Sequence, residues 1–168
     1  MIDEEISNAR AGFSASIIIK LNNLEEESLI MKLYEASNAG VKIQLLVRGI
    51  CRLVPGVPGQ SDRITVRRII DRYLEHGRVF IFENKGQLKI YMGSSDWMYR
   101  NIYHRIEVCF PILDPNLKIE MCRLIELQLK DNVQAVLVDQ ELNNVPVKND
   151  EAPVLSQSGI RNYLASVL

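Results

Sequence analysis

The period of the apolar positions changes several times along the chain, and each change marks an element. Residues 14–21 (SASIIIKL) form a β-branched apolar run of strand length, set between Gly12 and the pair Asn22-Asn23. Leu29, Ile30, Leu33 and Ala36 then recur at helical spacing, with Asn23 and Glu26 in capping-box register before them and Gly40 after them. Residues 41–47 (VKIQLLV) return to a buried strand. This strand–helix–strand order predicts a parallel pair in an α/β sheet, with functional groups gathered beyond the carboxyl ends of its strands. Arg48 falls at that place. Residues 49–65, with Pro55, Gly56, Pro58 and Gly59, read as a long irregular loop.

Beyond the loop, residues 66–74 read as a short helix resting on Ile69, Ile70 and Tyr73. Residues 79–82 and 88–92 read as a hairpin around Glu83-Asn84-Lys85-Gly86. Residues 106–112 are a further strand, and Asp114 with Pro115 opens a helix carrying Leu117, Met121, Leu124, Ile125 and Leu129. Residues 133–138 close the sheet. The pattern divides the chain into an N-terminal extension (1–13), an α/β domain (14–138) and a polar tail (139–168) with a last helix over 160–168.

Composition adds little until it is localised. The 168 residues are 47% hydrophobic and 24% charged, with a net charge of −1, which are ordinary globular values. No apolar run approaches the ~18 residues that a membrane span requires, and residues 1–10 lack the basic and apolar regions of a secretory signal. Both features point to the cytoplasm. Cys51, Cys109 and Cys122 are odd in number and far apart, so they read as reduced thiols. The charge, however, is uneven. Between Arg48 and Arg105 lie nine of the twelve arginines plus Lys85 and Lys89 against five carboxylates, a net +6 that leaves −7 for the remainder. Such a field suits an anionic ligand, and guanidinium forks suit phosphate or carboxylate. A solvated, salt-bridged surface would carry the same charges.

The candidate chemistry lies in His76-Gly77-Arg78-Val79-Phe80-Ile81-Phe82-Glu83 and, after the turn, Gly93-Ser94-Ser95-Asp96. This order resembles the phospholipase D superfamily signature, with Arg78 for its lysine, Glu83 for its aspartate and Asp96 for its asparagine. The runs Ile19–Leu24, Leu45–Cys51, Asp71–His76, Ile81–Asn84, Ser94–Met98 and Arg105–Val108, taken in order, closely resemble the last domain of long-chain polyphosphate kinases, over residues 14 to about 140. The resemblance implies a phospholipase-D-like mixed sheet flanked by helices. It also implies an enzyme, cytoplasmic or at the membrane periphery, that reversibly moves the terminal phosphate of ATP onto polyphosphate.

In that family two such domains face each other, and the preceding one bears the histidine that is phosphorylated. Arg48 and His76 match positions that contact ATP. The magnesium-binding arginines and the nucleotide-contacting tyrosine belong to the other part, so magnesium is implied for the full-length enzyme with no ligand in this chain. The implied partners are ATP or ADP, inorganic polyphosphate, the preceding domains and further copies of the enzyme, with no nucleic acid.

His76 would otherwise read as a surface histidine at a helix end. In this frame it is expected to act as an acid or hydrogen-bond donor at phosphate, not as the covalent nucleophile. Arg48 could merely pair with a carboxylate, but its place beyond a buried strand favours phosphate. Lys20, Arg52, Arg63 and Ser94 are further candidate phosphate contacts. Arg78 and Glu83 are expected to hold one another or the backbone, Trp97 to pack, and His104 to be exposed. The competing readings are a homodimeric phosphodiesterase or nuclease and a non-catalytic polyphosphate-binding module.

Overall fold

A computed structural model of the chain describes residues 1–167. Eight strands form one mixed sheet. They are β1 (Ser16–Leu21), β2 (Lys42–Val47), β3 (Ile64–Ile69), β4 (Arg78–Phe82), β5 (Lys89–Gly93), β6 (Cys109–Ile112), β7 (Ala135–Val138) and β8 (Asn144–Pro146), in the order β6-β5-β4-β1-β2-β3-β7-β8. β1, β2 and β3 run parallel, and the other neighbours pair antiparallel. Five helices accompany the sheet, namely α1 (Ile2–Arg10), α2 (Glu27–Asn38), α3 (Tyr99–His104), α4 (Pro115–Lys130) and α5 (Ser156–Val167). The last residue of the expected C-terminal helix, Leu168, lies outside the described residues.

Alternation along the central strands sends side chains into two cores. Ile17, Ile19 and Leu21 of β1, Ile43 and Leu45 of β2 and Phe80 of β4 bury against α1 and α2 on one face. Leu46, Val79, Ile81 and Ile90 pack against Ile125 of α4 on the other. Lys20 follows the even positions of β1 and therefore points to the α4 side. The hairpin of β4 and β5, the N-cap of α4 at Asp114 and the packing of Trp97, which stacks on Phe80 at 5.8 Å, agree with the sequence reading.

Residues 66–74 do not form the expected helix. Residues 64–69 are β3, in register between β2 and β7, and residues 70–77 are loop. The apolar spacing suits either period. Pairing on both edges with Ile64 and Val66 buried decides for the strand, and Ile70, Tyr73 and Leu74 stay exposed. The connection before β3 thus ends at residue 63. It is packed, with Leu53 fully buried and the Ser61 hydroxyl donating to the Val54 carbonyl at 2.8 Å. α2 is capped by the Glu26 carboxylate, which accepts from the Leu29 N–H at 2.8 Å, so Asn23 is free for another role. The last strand of the sheet is β8, one beyond the β7 expected to close it.

α1 carries a fully buried carboxylate, Glu5, which accepts from the Asn84 N–H at 2.6 Å and so fixes the β4–β5 turn. Its other oxygen has no hydrogen-bond partner among the described residues. Burial, aided by the charges of Glu83 and Glu4, pushes this carboxyl above the ordinary range and outweighs the hydrogen bonds that lower it. A raised carboxyl contributes fully below its unfolded value of about 4.3 and costs stability as pH rises through the folded value. Glu5→Gln is therefore expected to raise Tm at pH 7–8 by about 2–4 °C, roughly 1 kcal/mol at this size. The gain should vanish below about pH 4. Thermal melts across pH check this, and a shift independent of pH would contradict it.

Candidate active site

The parallel strands β1, β2 and β3 end at one edge of the sheet, where β4 begins and β5 ends. The register places Leu21 beside Val47, Lys20 beside Val79, and Arg78 beside Gly93. Lys20, Arg48, His76, Arg78, Ser94 and Asp96 therefore share this edge, although up to 76 positions separate them in sequence. Two glycines permit the crowding. A Cβ on Gly49 would lie 2.6 Å from Asn23 Oδ1, and one on Gly93 would lie 2.8 Å from the Val108 carbonyl oxygen.

Asp96 is the hub. Its buried carboxylate accepts from Arg78 Nε and Nη2, each at 3.1 Å, from the Asn22 N–H at 2.8 Å and from Asn23 Nδ2 at 3.1 Å. Burial alone would raise this carboxyl, but the Arg78 fork and the N–H donors outweigh it and hold Asp96 below the usual carboxylate range. Of the two expected roles, Arg78 takes the backbone one, at the His76 carbonyl, and its carboxylate partner is Asp96 in place of Glu83. The fork is built because Arg78 projects from the start of β4 toward Asp96 just past the end of β5, whereas Glu83 sits beyond the far end of β4.

Arg78 also reaches the loop before it. Nη1 donates to the His76 carbonyl at 2.7 Å, and Nη2 lies 2.9 Å from His76 Nε2. An arginine offers only donors, so this contact requires a lone pair on Nε2. His76 itself is exposed. Arg48 is half-buried, and its Nε donates to Asn22 Oδ1 at 2.6 Å. Among the described residues, its two terminal nitrogens make no hydrogen bond to protein. Arg48 and His76 are therefore joined through Asn22, Asp96 and Arg78.

The other candidates are differently placed. Lys20 forms an ion pair with Glu75 and donates to Gln128 Oε1 at 2.6 Å, with only 12% of its side chain exposed. Ser94 donates to Glu107, whose other oxygen accepts from Asn101 Nδ2 at 2.6 Å. These two bonds hold Glu107 below the usual range. Arg52 is exposed and pairs with Glu27 at 3.2 Å. Arg63 precedes β3 and lies at the opposite end of the sheet from Arg48. Arg67 and Arg68 serve structure, donating to the carbonyls of Asp131 and Gly49 respectively. His104 is exposed, and burial pushes all three cysteine thiols up.

Among the described residues, the side chains present do not build a magnesium site. Glu75 and Asp96 are committed to Lys20 and Arg78, and among the described residues no three of His, Cys, Asp or Glu converge. An apolar-walled cleft of about 680 Å³ opens beside this edge, bordered by His76, Lys20 and Glu75 and by Met121, Ile160 and Leu164 of α4 and α5. Among the described residues, no helix is long and apolar enough to cross a membrane.

Known proteins share this fold. The structure of polyphosphate kinase from Porphyromonas gingivalis superposes with a TM-score of 0.97 at 45% identity, over 99% of this chain and 26% of that one. Nuc from Salmonella typhimurium, a phospholipase D family member, shares the fold at a TM-score of 0.57 and 15% identity, over 80% of this chain and 88% of that one. Polyphosphate kinase of Yersinia pestis is 49% identical over 99% of this chain, which spans 24% of that protein. The family model "Polyphosphate kinase C-terminal domain 2" matches residues 1–157. With a phospholipase-D-like sheet and an identity near one half along its whole length, the chain belongs to the polyphosphate kinase family and corresponds to its C-terminal domain 2.

Proposed function

We propose that the chain supplies one half of the active site of an ATP:polyphosphate phosphotransferase, which reversibly moves the terminal phosphate of ATP onto inorganic polyphosphate. The observation that carries this reading is that half-buried Arg48 and exposed His76 are tied to each other by the Asn22–Asp96–Arg78 network, with the terminal nitrogens of Arg48 free of hydrogen bonds among the described residues.

The guanidinium of Arg48, held by Asn22 through Nε, presents its two free nitrogens as a fork to non-bridging phosphate oxygens. His76 donates a hydrogen bond to the same phosphate group through its ring N–H once the ring turns from Arg78. Both residues neutralise charge as the phosphoryl group transfers, where pre-aimed donors cost no reorganisation. The bond to phosphorus is made by a histidine of the facing domain, and the oxygen of ADP leaves. The chain positions and stabilises phosphate and needs no nucleophile of its own. The facing domain, a homo-oligomeric enzyme, and a cytoplasmic or membrane-peripheral location complete this reading.

Two features weigh against a phosphodiesterase assembled from two copies. The cation at the superfamily's lysine position is bound to Asp96, and the hydroxyl of Ser94 is bound to Glu107.

In the full-length enzyme, Arg48→Ala is expected to raise the KM for ATP about 10- to 100-fold, the loss of one charged, forked contact of about 1.5–3 kcal/mol. Arg48→Lys should recover only part of it, since an ammonium cannot fork. Steady-state kinetics check this, and an unchanged KM in Arg48→Ala would remove Arg48 from the site.

A further inference from the structure

The loop that carries His76 lies between β3 and β4 and has neither helix nor strand. It is tied down by side chains, and the farthest in sequence comes from α5. Gln157, in the first turn of that helix, accepts from the Tyr73 N–H at 2.9 Å through Oε1 and donates to the Tyr73 carbonyl at 2.8 Å through Nε2. This pair reproduces with one amide side chain the two bonds that a neighbouring strand would make. Gln157 Nε2 also lies 3.2 Å from Glu75 Oε1, and the other oxygen of Glu75 accepts from Lys20 of β1. Glu75 is the residue immediately before His76.

The helix end that presents Gln157 is itself anchored. Asp131, fully buried, accepts from the Ser156 N–H at 2.8 Å through one oxygen. Its other oxygen accepts from the N–H groups of Val133, Gln134 and Ala135. Asn132 and Val154 exchange a second pair of bonds beside it. Hydrogen bonds thus link β7 to Asp131 and Asp131 to Ser156, the chain carries the path on to Gln157, and Gln157 bonds Tyr73 and Glu75 on the His76 loop. Lys20 joins the same loop to the central strand.

We propose that Gln157 is a positioning residue for His76, fixing the loop through the paired bond to Tyr73 and the contact with the Lys20–Glu75 ion pair. α5 is thereby a working part of the half-site. This rests on the reading of His76 as a phosphate contact. A displacement of about 1 Å at a reacting group can cost ~10²-fold in rate, and a loop held by side-chain bonds opens at low cost.

The test uses the full-length enzyme with wild-type sequence, Gln157→Ala, Gln157→Glu and the double variant Gln157→Glu/Glu75→Gln. Gln157→Ala is expected to lower kcat about 10- to 100-fold with the KM for ATP changed less than about threefold, since Arg48 is untouched. Amide exchange of residues 71–77 should quicken while that of β1, β2 and β4 does not. Gln157→Glu places a carboxylate against the Tyr73 carbonyl and Glu75 and should fall at least as far. In the double variant the amide introduced at position 75 can donate to the carboxylate introduced at position 157, so part of kcat and part of the exchange protection should return. Unchanged exchange at 71–77 in Gln157→Ala, or a double variant no better than Gln157→Glu, overturns the proposal. Full phosphotransfer by His76→Ala would overturn the role given to His76 and leave the positioning of the loop intact.

Discussion

Replacing His76 by alanine in the full-length enzyme is expected to lower kcat for polyphosphate synthesis by roughly 10²–10³, the usual cost of removing one aimed donor or proton-transfer group. The effect should be on catalysis and not on folding, because the ring is exposed and, among the described residues, its hydrogen-bond partner is Arg78 Nη2. His76→Gln separates two roles. Glutamine keeps a donor near the ring position but cannot carry a mobile proton, so it should retain more activity than alanine if His76 mainly stabilises charge. It should match alanine if a proton must move. A His76→Ala enzyme with more than half of wild-type kcat, measured with saturating ATP, would contradict any role for this residue at phosphate.

Asp96→Ala is expected to have the largest effect on stability. The variant removes the counter-charge of Arg78, whose side chain is 11% exposed, and strips the Asn22 N–H of its acceptor. Breaking one member of a buried pair typically costs ~3–5 kcal/mol, which at this size is a fall in Tm of roughly 10 °C or more. Asp96→Asn keeps one acceptor oxygen and the shape, and should lose about half as much.

The pH dependence has a defined sign. The folded carboxyl titrates below its unfolded value of about 3.9. Its contribution is therefore complete above that value and is lost as pH falls through the lower folded value. Wild type should lose stability below about pH 4 more steeply than Asp96→Asn. Parallel acid profiles for the two proteins would remove Asp96 from the acid transition. Both variants should also lose activity, since a released Arg78 no longer holds the His76 carbonyl.

Much of this was legible from periodicity. β1, β2, the β4–β5 hairpin and α4 bury clean apolar patterns between ordinary turn and cap residues, so local sequence and tertiary packing agree there. Residues 66–74 carry two patterns at once, because Val66, Ile69, Ile70 and Tyr73 satisfy a helical stripe as well as Ile64 and Val66 satisfy alternation, and only pairing with β2 and β7 decides between them. The place of Arg48 followed from the rule that groups gather beyond the ends of parallel strands.

The wiring behind that edge did not follow. Arg78 and Glu83 lie close together in the motif, yet the partner of Arg78 is Asp96, across the hairpin. The one signal for the commitment of Lys20 was its place in an apolar run that would be buried on both faces, where a cation needs a counter-ion. Nothing local marks that ion as Glu75, and nothing at all links Gln157 to Tyr73, 84 positions away. Long-range polar pairs carry no periodicity, so spacing cannot find them.

On the proposed function, this chain binds phosphate through Arg48 and His76 at the carboxyl edge of its sheet. Isothermal titration of the chain with inorganic polyphosphate, at fixed low salt, tests it most directly. Wild type should bind, and Arg48→Ala and His76→Ala should each weaken binding about tenfold or more, the loss of at least ~1.4 kcal/mol. Equal affinity in all three proteins would contradict the claim.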